Sequence, residues 1–327
     1  MYKSKLDLKD TQIGIKYIKD NFENMLAKKL NLIRVSAPML VTSNSKLNDY
    51  LTGKEKPITF SAKDIDSKIE IVHSLAKWKR DALSRYDLGS YCGIYTDMNA
   101  IRKDEKLDNI HSIYVDQWDF EIKIIKEDRN LDYLFNKVKD IYSVILSIEK
   151  KIHSLYPALT NTLNKNITFI STSQLLSMYP KLNKEEREKE IVKKYGSVFL
   201  YQIGWDLENN LPHEYRAPDY DDWNYNGDII VYDKINDSGI ELSSMGIRVD
   251  SNSLVKQLEK RNRTDLLTSS YSKDILENKL PLTYGGGIGQ SRLCMLLLEK
   301  KHIGEVQASI WSDKEIEKAK KEGYVLL

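Results

Sequence analysis

The chain has 327 residues, 41% hydrophobic and 30% charged, with 50 lysines and arginines against 48 aspartates and glutamates and a formal net charge of +2. That balance suits one soluble globular domain, with or without an insertion, and supplies no general electrostatic attraction for nucleic acid. No apolar run is long enough to cross a bilayer, no signal-peptide core follows the first residues, and Cys92 and Cys294 lack metal-ligand spacing and read as small buried hydrophobes, so a cytoplasmic protein is expected.

Ile13, Ile15, Ile18, Phe22, Met25, Leu26 and Leu30 approach helical spacing and predict a helix over 11–30. A short strand is expected over 32–40, closed by Pro38, whose missing N–H suits an edge or an interface. Residues 42–49 are polar and read as a loop, and 56–62 and 68–72 as strands joined by a turn over 63–67. A helix is expected from His73 to about Tyr86, with Ser74 as its N-cap. Strands over 93–101 and 112–125 flank the charged loop Arg102-Lys103-Asp104-Glu105. Residues about 126–196 read as a mainly helical insertion, with helices over 128–155 and 183–195 and a short helix capped by Ser171-Thr172-Ser173-Gln174. Strands follow over 198–203, 228–232 and 240–249, helices over 254–261 and 273–280, and a lysine- and glutamate-rich helix over 313–322. Hairpins outnumber βαβ units, which predicts an α+β domain, a mainly antiparallel β-sheet flanked by helices, spanning 1–327.

Four stretches carry chemistry. In the first, four glycines within 285–289 would let a backbone lie flat against a ligand, and a helix from Gln290 places Arg292 in its first turn. A planar cation there can stack on a base or pair with phosphate, although a tight turn before a core helix explains the stretch alone equally well. In the second, Gln117, Asp119 and Glu121 share one strand face and Asp116, Trp118 and Phe120 the other, while Arg102 has the fork that holds phosphate. In the third, alternation puts Glu241, Ser243 and Met245 on one face and Leu242, Ser244 and Gly246 on the other. A bulge near Ser243-Ser244 would bring Glu241, Ser244 and Arg248 together. Carboxylate and hydroxyl oxygens suit Mg²⁺ on phosphates, and the acidic run Asp219, Asp221, Asp222 and Asp228 lies just upstream. In the fourth, Lys77 and Lys79 point to different faces of one helix, and spacing does not decide which reaches a substrate. His73 and His111 fit structural roles as well as catalytic ones.

The order of helix, strand and Pro38, then Arg102-x-Asp104-Glu105, then the glycines with Arg292, resembles the three motifs of class II aminoacyl-tRNA synthetases, in particular their aspartyl and asparaginyl branch. Blocks along nearly the whole chain (72–80, 114–119, 216–223, 241–250 and 285–293) resemble the ammonia-dependent asparagine synthetases, stand-alone relatives of that catalytic domain. The short segment 224–226 departs from the longer loop of some relatives.

The resemblance implies a class II synthetase-like fold and an enzyme that converts aspartate, ATP and ammonia to asparagine, AMP and pyrophosphate through β-aspartyl-adenylate. It implies Arg102 on the α-phosphate and Arg292 on the adenine and outer phosphates, with Val115, Gly287 and Gly289 completing the nucleotide site. Asp228, Glu241 and Ser244 are implied as Mg²⁺ ligands. Lys79 pairs with the side-chain carboxylate of aspartate, Asp49 with its amino group and Arg248 with its α-carboxylate, supported by Ser74 and Gln117. Asp119 or Asp221 receives ammonia and its proton. A homodimer through residues 11–40 is expected, with neither nucleic acid nor membrane as a partner. Neither cysteine nor Tyr2 supplies a glutaminase nucleophile in a suitable setting, which favours ammonia over glutamine. The rivals are an aspartyl- or asparaginyl-tRNA synthetase paralogue, which would need a further nucleic-acid-binding barrel, and a non-catalytic dimer that binds amino acid or adenylate, which would be expected to lose Arg102, Glu241 or Arg292.

Overall fold

The structure is a computed structural model that describes residues 2–52 and 55–327. Helix α1 (Leu8–Leu30) is capped by Asp7, whose carboxylate accepts from the Asp10 amide at 2.7 Å, and ends on Asn31 in the left-handed region. It buries Ile18, Phe22, Leu26 and Leu30 and leaves Leu8 and Ile13 exposed. The expected strand over 32–40 divides in two. β1 (Leu32–Arg34) joins the main sheet, and β2 (Leu40–Thr42) pairs elsewhere, because Pro38 between them cannot donate to a ladder. β3 (Thr59–Ala62) and β4 (Ile65–Ile71) complete a three-stranded sheet with β2, turning at Lys63-Asp64 alone. Helix α2 (Ala76–Ser84) begins two residues later than its expected cap: Leu75 holds the N-cap position, and the Ser74 hydroxyl instead accepts from the Ala76 amide at 3.1 Å in the turn before it.

β5 (Gly93–Ile101) and β6 (Tyr114–Lys123) form the expected antiparallel pair. α3 (Leu131–Leu155), β7 (Thr168–Ser171), α4 (Thr172–Met178), α5 (Lys184–Tyr195) and β8 (Ser197–Tyr201) follow. β9 (Asp221–Asp233) starts seven residues before its expected position, so Asp221, Asp222 and residues 224–226 belong to a strand rather than a loop. Then come β10 (Ser238–Arg248), α6 (Ser251–Lys260), α7 (Ser270–Leu276), β11 (Thr283–Gly289), α8 (Gln290–Leu297) and α9 (Asp313–Glu322).

The main sheet has eight strands in the order β1-β5-β6-β11-β10-β9-β8-β7, parallel only at its two edge pairs, β1–β5 and β7–β8. α1, α3 and α8 cover one face, where Phe22, Ile141, Ile145, Leu293 and Met295 meet Trp118, Phe120, Met245, Tyr284 and Ile288. α3 thus packs into the main core, although it opens the stretch expected as an insertion. A second, smaller core of Ile170, Leu175, Ile191, Val192 and Val198 ties α4 and α5 to the far edge. Of the cysteines, Cys294 is buried as expected, but Cys92 is only half-buried, with its Sγ 3.0 Å from Asn31 Nδ2. The opposite face of β6, β11 and β10 is where polar side chains gather.

Candidate active site

β11 is the centre of this face. Its even residues Tyr284 and Ile288 enter the core, so Gly285, Gly287 and Gly289 face the other way. None of the three has the left-handed φ that would itself call for glycine. The need is for space: a Cβ on Gly285 would strike Glu121 and Arg248, and one on Gly287 would strike Gln117 and Asp119. The expected flat floor for a ligand is therefore largely a floor for side chains of the neighbouring strands, which lie across β11.

Two buried ion pairs result. Arg248 Nε and Nη2 grip Glu121 at 3.0 and 2.8 Å, and its Nη1 binds Asp221. Burial pushes Glu121 upward, but Arg248 more than offsets this and holds it below the ordinary glutamate range. Asp221 is shifted up by burial, which Arg248 only partly opposes. Lys79 Nζ lies 3.1 Å from Asp119 and donates to the Gly286 carbonyl at 2.9 Å. Burial lowers its pKa, against the pull of Asp119. Lys77 faces away and meets Asp219 at 2.5 Å, so the two lysines separate as helix geometry requires.

Lys79, Asp119, Asp221 and Arg248 border a cavity of about 360 Å³ that also takes in Asp49, Ser74, Arg102, Val115, Gln117, Glu241, Ser244, Gly287, Gly289 and Arg292. Arg102 and Arg292, 190 positions apart, thus share one cavity. Arg102 Nε donates to the His73 carbonyl at 3.3 Å, and Arg292 Nη1 to the Glu241 carbonyl at 3.1 Å, with the Glu241 carboxylate 3.5 Å away. Asp49 is 1% exposed and, against Lys77, burial raises its pKa to about 6. One oxygen of Asp49 accepts from the Leu51 amide; the other, and Oδ2 of Asp119, are buried without a hydrogen-bond partner among the described residues.

The expected bulge in β10 is present, at Leu242: pairing with β9 slips between Glu241 and Ser243. Leu242 and Met245 then both enter the core, and Glu241 returns to the cavity side with Ser244 and Arg248. Asp228 lies directly opposite Ser244. Arg216, which the sequence reading left without a role, bridges them: Nη2 binds Asp228 and Nη1 donates to Ser244 Oγ at 3.1 Å. Glu121, noted on the polar face but given no role, is the other omission; its period-two position was the available signal. Arg216 had none, since its partners lie across a strand boundary. His73 and His111 are engaged with the Asp49 carbonyl and with Asp108.

Hard oxygen donors at Asp228, Glu241 and Ser244 suit a divalent cation, and Asp228 Oδ1 is buried without a partner. Among the described residues no three His, Cys, Asp or Glu side chains converge on a metal position.

The sequence model of a family described as aspartate-ammonia ligase matches residues 9–323. The aspartate–ammonia ligase of Clostridium tetani is 53% identical over 327 residues, covering 100% of this chain and 96% of its own. That of Mycoplasmoides gallisepticum is 49% identical over 325 residues, covering 99% of each. Among solved structures, asparaginyl-tRNA synthetases bound to asparaginyl-adenylate share the fold. That of Entamoeba histolytica has a TM-score of 0.65 at 12% identity, covering 92% of this chain and 66% of its own. That of Pyrococcus horikoshii has 0.65 at 13%, covering 91% and 68%, so this chain spans about two thirds of their length. The α+β sheet is thus that of a class II aminoacyl-tRNA synthetase catalytic domain, and the full-length identity is decisive: this chain belongs to the aspartate–ammonia ligase family.

Proposed function

We propose that this chain uses ATP to join ammonia to the side-chain carboxylate of aspartate, releasing asparagine, AMP and pyrophosphate. The observation that supports this most directly is a single cavity lined by Arg102, Arg292, the Lys79–Asp119 pair, Glu241 and Ser244. A carboxylate is a poor acyl donor, so an oxygen of the aspartate side chain first attacks the α-phosphorus and pyrophosphate leaves. Ammonia then attacks the acyl carbon of β-aspartyl-adenylate, and the bond to AMP breaks. Both steps gather negative charge, which preorganised cations stabilise.

In this reading Arg102 holds the α-phosphate and Arg292 the adenine and outer phosphates, with Val115, Gly287 and Gly289 shaping the nucleotide site. Lys79 pairs with the reacting carboxylate, Asp49 with the α-ammonium and Arg248 with the α-carboxylate, flanked by Ser74 and Gln117. Asp221 is drawn to Arg248, whereas Asp119 keeps a buried oxygen free. Asp119 is therefore the group we assign to receive ammonia and its proton. Mg²⁺ is the ion proposed for Asp228, Glu241 and Ser244, where it would neutralise phosphate charge.

Residues 1–327 are read as one catalytic domain with a mainly helical insertion over about 126–196. A homodimer is proposed through α1 and β1, where Leu8, Ile13 and Ile33 are exposed near Met39 and Leu40 in the sequence. No helix among the described residues is long and apolar enough to cross a membrane, and a biosynthetic role fits the cytoplasm. The deciding assay incubates purified protein with aspartate, ATP and Mg²⁺, with ammonium or glutamine as nitrogen donor. Asparagine and AMP with ammonium support the reading; ADP as product, or turnover with glutamine alone, overturns it.

A further inference from the structure

We propose that Arg216 is an exchangeable counter-ion, which holds Asp228 and Ser244 before a divalent cation arrives and passes to the outer phosphates of the nucleotide once the cation takes those oxygens. This rests on the reading of Asp228 and Ser244 as cation ligands.

Asp228 and Ser244 are directly opposed across β9 and β10, and the Arg216 guanidinium spans the pair. It thus lends its charge and its N–H groups to the oxygens a divalent ion would use. A guanidinium and a divalent ion cannot share them, because two cations within about 4 Å repel strongly in a partly desolvated site. The arrangement is also half-satisfied. Among the described residues, Arg216 Nε and Asp228 Oδ1 are both buried without a hydrogen-bond partner. An N–H in search of an acceptor and a carboxylate oxygen in search of a cation are what an anion–cation pair such as a metal-bound polyphosphate would complete.

The rest of the contact set suits exchange. Nη2 of Arg216 also meets Glu214 at 2.7 Å, and Glu214 is anchored to Lys184 of α5 at 2.5 Å. Glu214 can keep hold of the guanidinium when Asp228 is given up. Arg216 borders the same cavity as Arg102 and Arg292, so its new partner lies within that cavity.

The test uses Mn²⁺ as the probe ion, titrated by electron paramagnetic resonance into nucleotide-free protein. Wild type is compared with R216Q, R216K, D228N and R216Q/D228N, with circular dichroism to confirm folding. Removing a cation a few ångströms from an ion site is worth about tenfold in affinity. R216Q should therefore bind Mn²⁺ about tenfold more tightly than wild type. R216K, which keeps the charge but cannot bridge two oxygens, should fall between them, so it serves if R216Q does not fold. The α,β-methylene analogue of ATP, with Mn²⁺ present, should bind R216Q about tenfold more weakly. Equal Mn²⁺ affinities in wild type, R216Q and R216K, with D228N abolishing binding, would overturn the exchange and leave the cation reading intact. Unchanged Mn²⁺ binding in D228N and R216Q/D228N would overturn that reading itself, and the exchange with it.

Discussion

Replacing the β11 glycines one at a time separates space from flexibility. A methyl group at Gly285 would overlap Glu121 and the Arg248 guanidinium, one at Gly287 would overlap Gln117 and Asp119, and one at Gly289 would rest at 3.5 Å from Arg292 Cβ. Glu121 and Arg248 are 0% and 2% exposed, so a side chain pushed aside at Gly285 leaves a buried charge without its partner. Breaking a buried pair costs about 3–5 kcal/mol. With an unfolding entropy of about 2.1 cal/mol/K per residue, a chain of this length should lose about 4–7 °C in Tm for Gly285→Ala. Gly287→Ala displaces half-buried Gln117 and the Lys79 partner Asp119, so a smaller drop should accompany a loss of about 10–100-fold in kcat/KM for aspartate. Gly289→Ala should melt within about 1 °C of wild type, since its new contacts are ordinary ones. Differential scanning calorimetry on the three variants is the measurement. A Gly285→Ala protein as stable as wild type, or a Gly289→Ala protein as damaged as Gly285→Ala, would show that the glycines are not there to clear room for the ion pairs.

Arg102→Ala removes one 3.3 Å hydrogen bond to a carbonyl, so Tm should barely move while kcat falls by about 10²–10³; calorimetry and a product assay check both. Lys79→Ala and Lys77→Ala should both cost stability, by leaving buried Asp119 and Asp219 unpaired, but only Lys79→Ala should raise the KM for aspartate strongly; steady-state kinetics distinguishes the two. The pH dependence has a defined sign. Asp49 is held at about 6, above its unfolded value, so the fold favours its protonated form. Stability should decline as pH rises from about 4 to 6, while aspartate binding, which needs the carboxylate, should weaken as pH falls through 6. The limb near pH 6 in kcat/KM for aspartate should vanish in Asp49→Asn. Light scattering should report a dimer, and Ile13→Asp with Ile33→Asp on the exposed α1 and β1 surface should shift it toward monomer.

What could be read from the sequence was whatever obeyed a short period. The face of Gln117, Asp119 and Glu121 follows from strand alternation, and α1 and α8 from helical spacing. The bulge was legible only as a requirement, since Glu241 and Arg248 cannot share a face without one; its place at Leu242 is set by the need to bury that side chain. The start of β9 was hidden because a run of aspartates resembles a solvated loop. In the fold those carboxylates are buried against cations distant in sequence: Asp221 on Arg248, and Asp222 on Arg129 at 2.8 Å. Arg216 was hidden for the same reason. Local patterns report which face a residue takes, not which charge from another strand neutralises it.

The placement of Arg292 shows how the two faces of the sheet cooperate. Helix α8 starts from Gly289, which has no side chain to cap it. Asp116 of β6 supplies the missing acceptor: its carboxylate takes the Ser291 amide at 3.0 Å and the Ser291 hydroxyl at 2.9 Å. Lys19 of α1 meets the same carboxylate at 2.9 Å, and Gln307 donates to Ser291 Oγ at 2.9 Å. The next residue is Arg292. An acidic group at a helix start is favoured by the exposed amides and the dipole, so this contact fixes both the position and the rotation of the first turn. Asp116 and Gln117 are neighbours on β6, one holding the helix that carries Arg292 and the other facing the cavity beside Asp119. A single strand therefore sets the distance between Arg292 and Gln117, and α1 braces it through Lys19.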